Sequence, residues 1–280
     1  MALSIVIATL GGEQLSKTIY LINSGTLVPD EILICIPNDL AFRVNGMLSK
    51  KIKIVKTAVY GQVAQRAEGF KQARYDFVLQ LDDDIDLSPN SLMLMMTHLM
   101  RLGRNNVVGP VFINKKHQTP LSPFPVGLKG FLINLYYYIF GALPFGKARM
   151  GALSSICVTS SIDPRFSTGE VMRTDWLAGG CVLGYRDDLI KDNFFPFEGK
   201  AYAEDGLHSF LRTTRGISHH VVVSATAAID VPSNSFEWRG FVREMSVRLK
   251  IVRLMQGNSL RKLLYISAEG VRRVLWRSRA

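Results

Sequence analysis

The first 85 residues alternate short apolar runs with longer segments in which apolar residues recur at helical spacing. The apolar runs have the length and β-branched content of strands, namely "LSIVIATL" (3–10), "EILICIP" (31–37), "KIKIVKT" (51–57) and "YDFVLQLDDD" (75–84). The helical patterns "EQLSKTIYLINSG" and "GQVAQRAEGFKQAR" follow the first and third of these runs. This order predicts an α/β unit with a largely parallel sheet.

The pattern continues with a Met-rich helix at "SPNSLMLMMTHLMRLG", a strand at "NVVGPVFI" and a late strand at "HHVVVSATAAIDV". Between the last two lies a strongly apolar stretch, Phe131–Phe145, which is shorter than the roughly 20 residues of a usual membrane span. It fits a buried helix, an interfacial helix or a lid. Plain burial is slightly favoured, although three consecutive tyrosines suit a half-wet surface.

Charge separates the tail from the rest of the chain. Of the net charge of +11 over 280 residues, +9 lies between positions 239 and 280, where 11 Lys or Arg residues face two acids. Apolar residues alternate there with arginines, which predicts a helix that lies on an anionic membrane or packs on the main domain. A nucleic-acid partner is not expected, because the main domain is nearly neutral and the tail has no interleaved stacking residues.

Cysteine usage and the N-terminus predict a cytoplasmic location. The three cysteines lie far apart without a CxxC pair, which is typical of buried thiols in a reducing compartment. The N-terminal "MALSIVIATLGGEQ" has neither a basic region nor a cleavage site, so a secretory signal is not expected. With a membrane-binding tail, the protein is expected at the inner face of the cell membrane.

Four aspartates in five positions follow the fourth predicted strand, at Asp82, Asp83, Asp84 and Asp86. Ligands of α/β sheets collect at the carboxyl ends of strands, and residues two apart project to the same side. Such a pair can hold Mg²⁺ or Mn²⁺, which take carboxylate oxygens. An acidic turn before a helix is the alternative, and the preceding apolar strand favours the cation site. Asp86 lies past the strand end and is interpreted as a helix-start residue.

A second acidic pair, Glu204 and Asp205, opens the predicted helix "AEDGLHSFLR". Carboxylates at a helix start often only stabilise its first turn. The alternative is a general base that takes a proton from an attacking hydroxyl. This stretch alone leaves both alternatives open.

The ordered motifs "SIVIATL", "GQVAQRAEGFKQARYDFVLQLDDDIDLSP", "WLAGGCVLGYRDDLI" and "AEDGLHSFLRTTRG" resemble glycosyltransferase family 2, the inverting enzymes with a GT-A fold. The resemblance covers roughly residues 3–232. It implies a Rossmann-like α/β domain at 1–235, whose mixed, mostly parallel central sheet is flanked by helices. Within it, the nucleotide-sugar half is expected at about 1–115 and the acceptor half at about 116–235. Residues 236–280 are then a basic, amphipathic helical extension.

The resemblance also implies an activity. This is the metal-dependent, inverting transfer of a hexosyl or deoxyhexosyl group from a nucleoside-diphosphate sugar to an acceptor hydroxyl. The acceptor is expected to be a lipid-linked or surface-polysaccharide glycan, and the cofactor to be Mn²⁺ or Mg²⁺. By the same resemblance, Asp205 is the catalytic base, Trp176 and Glu204 lie on the acceptor side, and Arg212 matches a frequent arginine of the same helix.

The donor site follows from the same motifs. Its residues by resemblance are Thr9, Asp39, Arg66, Asp82, Asp83, Gly179 and Gly180. Asp84 matches the metal ligand, Asp82 shares the metal or approaches the ribose, and Asp83 can take either role. Asp230 stands where the family often has a metal-binding histidine, so it either replaces that ligand or leaves the metal to the aspartates of the DxD motif.

Two other functions fit part of the pattern. A phosphohydrolase with a DxD motif needs its aspartates after the first strand of its core, whereas these follow the fourth. A non-catalytic, membrane-associated protein that binds sugar nucleotides would share the fold. The presence of Asp82, Asp84 and Asp205 argues against this second alternative.

Overall fold

The computed structural model of the chain describes residues 2–195, 201–230 and 238–277. Its first elements follow the predicted order: β1 (Leu3–Ala8), α1 (Gln14–Asn23), β2 (Glu31–Pro37), β3 (Ile52–Thr57), α2 (Gln62–Gln72) and β4 (Phe77–Asp82). The later elements are β5 (Asp86–Leu87), α3 (Ser91–Leu102), β6 (Asn106–Asn114), α4 (Gly127–Ile139), β7 (Val171–Thr174), β8 (Cys181–Tyr185), α5 (Glu204–Thr214), β9 (Ser218–Ile229), α6 (Trp238–Leu254) and α7 (Ser259–Arg277).

Within the described residues, the strands form one mixed sheet in the order β3-β2-β1-β4-β8-β6-β9-β5, with β7 paired to β9. The first four strands of this order are parallel, and β8 runs antiparallel to both β4 and β6. Ala8 at the end of β1 pairs with Cys35 of β2 and with Asp82 of β4, so these strands end at one edge of the sheet. The predicted α/β class with a mixed central sheet is confirmed.

Helix α2 lies unusually close to the sheet because of one glycine. A Cβ atom at Gly69 would lie 2.6 Å from Sγ of Cys35, and closer still to the side chain of Val6. Both partners belong to fully buried strands, so neither has room to move away. Gly69 therefore sets the height of α2 above the strands and, one turn earlier in the helix, the position of Arg66.

The chain divides into two compact units. Unit 1 comprises residues 1–121 and 163–231, which carry the whole sheet, and unit 2 comprises 122–162 and 232–280. The predicted boundary at 235/236 falls outside the described residues. Residues 122–162 group with the tail in unit 2, where the Arg261 guanidinium donates to the carbonyls of Tyr138 and Ile139 at 3.1 and 3.0 Å.

Helix α4 occupies most of the apolar stretch Phe131–Phe145, and the slightly favoured burial does not hold for it. Only Gly130 and Asn134 of this helix are buried, whereas Phe131 and Leu132 are 51% and 57% exposed. Since nearly every position of α4 is apolar, the sequence could not indicate which face turns towards water. Over the residues described, no helix combines the length and hydropathy needed to cross a membrane.

Candidate active site

Arg66 connects two carboxylates that are far apart in sequence. Its Nη2 donates to Oδ1 of Asp82 at 2.5 Å, and its Nη1 donates to Oε1 of Glu204 at 2.7 Å. Arg66 is 3% exposed and Glu204 is 4% exposed, so both charges are withdrawn from water. Gln62, one turn earlier in α2, also donates to Oδ1 of Asp82 at 2.7 Å. The end of β4 is thereby tied to the start of α5.

Two glycines make room for this arrangement. A Cβ atom at Gly179 would lie 2.7 Å from Oε1 of Glu204, and closer still to the carboxylate of Asp205. A Cβ atom at Gly180 would lie 3.2 Å from Oδ2 of Asp82. Side chains here would displace the carboxylates. The structure thus brings the predicted pairs Asp82–Asp84, Gly179–Gly180 and Glu204–Asp205 to one edge of the sheet.

The three consecutive aspartates have different partners. Oδ1 of Asp82 is occupied by Arg66 and Gln62, and the carboxylate of Asp83 accepts a hydrogen bond from the Thr9 hydroxyl. In the described part of the chain, the exposed carboxylate of Asp84 has neither a hydrogen-bonding side chain nor an ion pair. Asp84 is therefore the member of the three that is available to a ligand.

Negative charge accumulates where these aspartates meet. Partial desolvation raises the pKa of Asp83, and the adjacent charge of Asp82 raises it further. The hydrogen bond from Thr9 lowers this pKa but does not cancel the rise. Desolvation and the charges of Asp82 and Asp83 likewise raise the pKa of Asp84. A cation bound here would offset this repulsion.

A divalent cation fits Asp84 together with the second oxygen of Asp82. Mg²⁺ and Mn²⁺ commonly use only one or two protein carboxylates and complete their shell with water or phosphate oxygens. The site offers no more than that, since nowhere in the described residues do three histidine, cysteine or acidic side chains converge as a metal site. The residues fit a metal that is shared with a phosphate ligand, and do not fit a closed structural site.

Lys115, which the sequence did not single out, lies next to Asp84 and contacts three acidic residues. Its ammonium group lies 3.1 Å from the Asp84 carbonyl, 3.3 Å from Asp86 and 3.4 Å from Asp230. Asp230 is 71% exposed and already faces this cation, which competes with a metal for its carboxylate. Lys115 follows β6 and belongs to no recognisable sequence motif. Its proximity to Asp230 follows only from the pairing of β6 with β9.

Asp86 does not serve as a helix-start residue. It lies in β5, which pairs with the end of β9, and α3 begins only at Ser91. Its carboxylate also pairs with Lys17 at 2.6 Å. The short strand was not predicted because two residues are too few to show a period.

Asp205 lies in the first turn of α5, after Ala203, whose backbone is left-handed with φ 56°. Desolvation and the neighbouring charge of Glu204 raise the pKa of the half-buried Asp205 well above its usual range, and Arg66 only partly opposes this. A carboxylate with raised proton affinity suits general base catalysis near neutral pH.

Arg212 lies two turns further along α5 and is 1% exposed. Within the described chain its Nε and Nη2 atoms have no hydrogen-bond partner, and burial lowers its pKa to about 9. The negative charges of Glu204 and Asp205 favour its charged form. Arg212 therefore adds positive potential behind the acidic pair.

The remaining predicted residues lie around this cluster. Asp39 is exposed after β2 and accepts a hydrogen bond from Tyr60, which raises the pKa of that tyrosine. No described contact joins Asp39 to Arg66 or its carboxylate partners. Trp176 is half-buried three residues before Gly179, and its carbonyl accepts from the Thr174 hydroxyl at 2.7 Å. Tyr60 carried no signal of its own in the sequence.

Residues 40–148 match the family model described as Glycosyl transferase family 2. This segment, which is less than half of the chain, resembles glycosyl transferase family 2. The matched segment contains Arg66 and the three consecutive aspartates, and it ends before Gly179 and Asp205. Comparison with curated protein sequences found no match.

Solved structures share the fold of this chain. A crystal structure of GalNAc-T7 with UDP, GalNAc and Mn²⁺ superposes with a TM-score of 0.59 at 15% identity, over 85% of this chain and 44% of that one. Residues 1–349 of TarS from S. aureus give a TM-score of 0.51 at 15% identity, over 94% and 68%. A longer TarS structure gives a TM-score of 0.51 at 14% identity, over 94% and 41%.

The predicted GT-A fold is therefore confirmed. The chain spans less than half of the length of GalNAc-T7.

Replacing Arg66 by methionine is expected to destabilise the protein by about 3–5 kcal/mol, because Glu204 and Asp82 would be left without their cation. Urea unfolding followed by circular dichroism measures this loss. Lys71→Met is the control on the same helix. It removes only an exposed, solvent-screened pair with Glu68, which contributes little to stability. Equal losses in the two variants would show that the Arg66 pairs do not hold the site together.

Proposed function

We propose that this chain is a metal-dependent, inverting glycosyltransferase. It moves a hexosyl or deoxyhexosyl group from a nucleoside-diphosphate sugar to a hydroxyl of a lipid-linked or surface-polysaccharide glycan. One observation carries the proposal: Asp82 and Asp205 flank the glycine pair at the carboxyl edge of the sheet, and Arg66 ties them together through Glu204. A cation-binding carboxylate and a proton acceptor thereby border the same gap.

The donor is proposed to bind along the ends of β1, β2 and β4. Its residues are Thr9, Asp39, Arg66, Asp82, Asp83, Gly179 and Gly180. Mn²⁺ or Mg²⁺ at Asp84 and Asp82 would neutralise the charge that develops on the diphosphate leaving group. The GalNAc-T7 structure, which contains UDP and Mn²⁺, supports this choice of ligands. Asp230 is the weaker metal candidate because it faces Lys115.

Transfer is proposed to be a single displacement at the anomeric carbon. A bond forms from the acceptor oxygen to this carbon while the bond to the diphosphate oxygen breaks, and Asp205 takes the proton of the hydroxyl. Attack from the face opposite the leaving group inverts the configuration. Trp176 and Glu204 lie on the acceptor side of this step, and Glu204 also maintains the proton affinity of Asp205.

Asp205→Asn is expected to reduce transfer about 10²–10⁴-fold while donor affinity stays within about twofold, because the base acts only on the acceptor proton. Transfer from a panel of nucleoside-diphosphate sugars and calorimetric binding of the matching nucleotide measure the two effects. The variant should also melt at a higher temperature at about pH 8. The pKa of Asp205 is higher in the folded than in the unfolded protein, so the folded state loses stability as the pH rises from the ordinary pKa of aspartate to the raised pKa. Asparagine has no such proton to lose, so the variant keeps this part of the stability.

The control for this experiment is Asp192→Asn, which alters a 78% exposed carboxylate in a long ion pair with Arg215. It should leave transfer and melting unchanged. Parallel losses of donor affinity and transfer in Asp205→Asn would contradict the base assignment. A sugar-nucleotide-binding protein without activity would bind the donor and show no transfer in either form.

Asp84→Asn is expected to abolish the stabilisation that nucleoside diphosphate and Mn²⁺ together give the protein. At ligand concentrations about 100-fold above the dissociation constant this stabilisation is about 2.7 kcal/mol, which a thermal shift detects. EDTA should have the same effect on the unmodified protein. Asp230→Asn is the matched control and should keep the shift. If Asp230→Asn lost the thermal shift and Asp84→Asn kept it, the metal would be assigned to Asp230 at the end of β9 instead.

The tail is proposed to contact an anionic membrane at the cytoplasmic face of the cell. Helices α6 and α7 expose both cations and leucines, namely Arg243, Lys250, Arg253, Arg261, Leu254, Leu260, Leu263 and Leu264. Basic residues beside apolar ones favour the surface of an anionic bilayer, where each adds about 1 kcal/mol. No nucleic-acid partner is proposed.

Reversing two of these charges in the full chain, Lys250→Glu with Arg253→Glu, is expected to weaken binding to phosphatidylglycerol vesicles by at least about tenfold. Flotation measures the bound fraction. Lys50→Glu with Lys116→Glu makes the same charge change on exposed positions of unit 1 and should bind like the unmodified protein. Equal binding by both double variants, or equal binding to phosphatidylcholine alone, would contradict a role for the tail charges.

A further inference from the structure

Unit 2 contains a groove of about 500 Å³ that no step of the proposed reaction uses. It is formed by the segment around Phe124, by one side of α4 and by the chain from Arg149 to Ser161. All of these residues belong to the first segment of unit 2. The volume is within the range of sites that enclose small organic ligands.

Arg149 lines this groove and is 4% exposed. Its Nε atom has no hydrogen-bond partner, and among the residues described no carboxylate lies within ion-pair distance of it. Its guanidinium carbon is 4.5 Å from the ring centre of Tyr137 and 5.3 Å from that of Phe124. Two aromatic rings hold the cation in place, and neither neutralises it. A buried charge without a counter-ion is unfavourable, so the groove is built for an anion.

The other residues that line the groove indicate which further chemical groups the ligand has. Lys129 adds a second cation, and Thr159, Ser160 and Ser161 add hydroxyl groups, while none of the described acidic residues lines the groove. Cations and hydroxyls together are suited to a group with several acceptor oxygens, such as phosphate. Leu132 and Ile133 of α4 form an apolar wall beside them.

The apolar wall continues on the surface of α4. Leu132 belongs both to the groove and to the exposed face of the helix, where Leu128 and Phe131 are 79% and 51% exposed. A hydrocarbon chain that leaves the groove along this helix would cover side chains that water now contacts. Covering apolar surface in this way is favourable, because it removes that surface from water.

We propose that the groove binds a lipid phosphate, with the phosphate group at Arg149 and the first carbons of the chain along Leu132 and Ile133. The same chemistry is present in a bilayer phospholipid and in the lipid of a lipid-linked acceptor. The residues that carry this inference all belong to unit 2, so its test is independent of the sugar transfer proposed for unit 1.

Titration calorimetry of the full-length protein with dodecyl phosphate, below its micelle concentration, tests the proposal. We expect saturable binding at one site, with inorganic phosphate at least about 100-fold weaker because it lacks the chain. Arg149→Gln should weaken dodecyl phosphate binding at least about tenfold through loss of charge-assisted hydrogen bonds. Ser161→Trp places a bulky side chain at another position of the groove lining and should abolish binding without changing charge.

Arg101→Gln is the control, since it removes the same charge from a 68% exposed position of unit 1. It should bind like the unmodified protein. Unchanged binding in both Arg149→Gln and Ser161→Trp would overturn the proposal. Equal affinity for inorganic phosphate would instead assign a site for free phosphate, and equal affinity for dodecyl maltoside would assign a site for neutral glycolipid. Melting temperatures of the variants confirm that each is folded.

Discussion

The site depends on a single buried guanidinium that is shared by two carboxylates from opposite ends of unit 1. Arg66 comes from α2, Asp82 from the end of β4 and Glu204 from the start of α5, and both ion pairs are 2.7 Å or shorter. Arg66 and Glu204 are buried and Asp82 is half-buried, and withdrawing such charges from water is unfavourable unless they are paired, so each of the three elements stabilises the position of the others. The same constraint places Asp205, the proposed proton acceptor, next to the carboxylates that border the proposed metal position.

Positive charge is not distributed evenly among the carboxylates of this cluster. The two carboxylates pair with Arg66 and raise its pKa, despite its burial. Desolvation and neighbouring acids raise the pKa of Asp205 and of Asp84, and the nearby cations Arg66 and Lys115, respectively, oppose this only in part. Two carboxylates with raised pKa values thus remain in this cluster. In the proposed reaction, Asp205 would take the proton of the acceptor hydroxyl, and a metal would bind Asp84.

The sequence predicted the elements of unit 1 well because their patterns are local. The β-branched runs became β1 to β4, and the four motifs placed Asp82, Gly179 and Asp205 at strand or helix ends that do meet. The sequence could not predict which residues pair when they are far apart along the chain. Arg66 reaches Glu204 over 138 positions, and Lys115 gains its acidic neighbours through strand pairing. The grouping of 122–162 with the tail depends on packing between helices, which no period in the sequence records.

Gly69 gives this architecture an unexpected kind of fragility. It is buried in a helix, touches no substrate group and carries no reactive atom, yet its missing side chain fixes how closely α2 approaches Val6 and Cys35. Any larger residue would lift the helix and move Arg66 away from both carboxylates. In a scan of all single substitutions selected for activity, this position would therefore group with the charged residues of the site and not with the hydrophobic core that surrounds it.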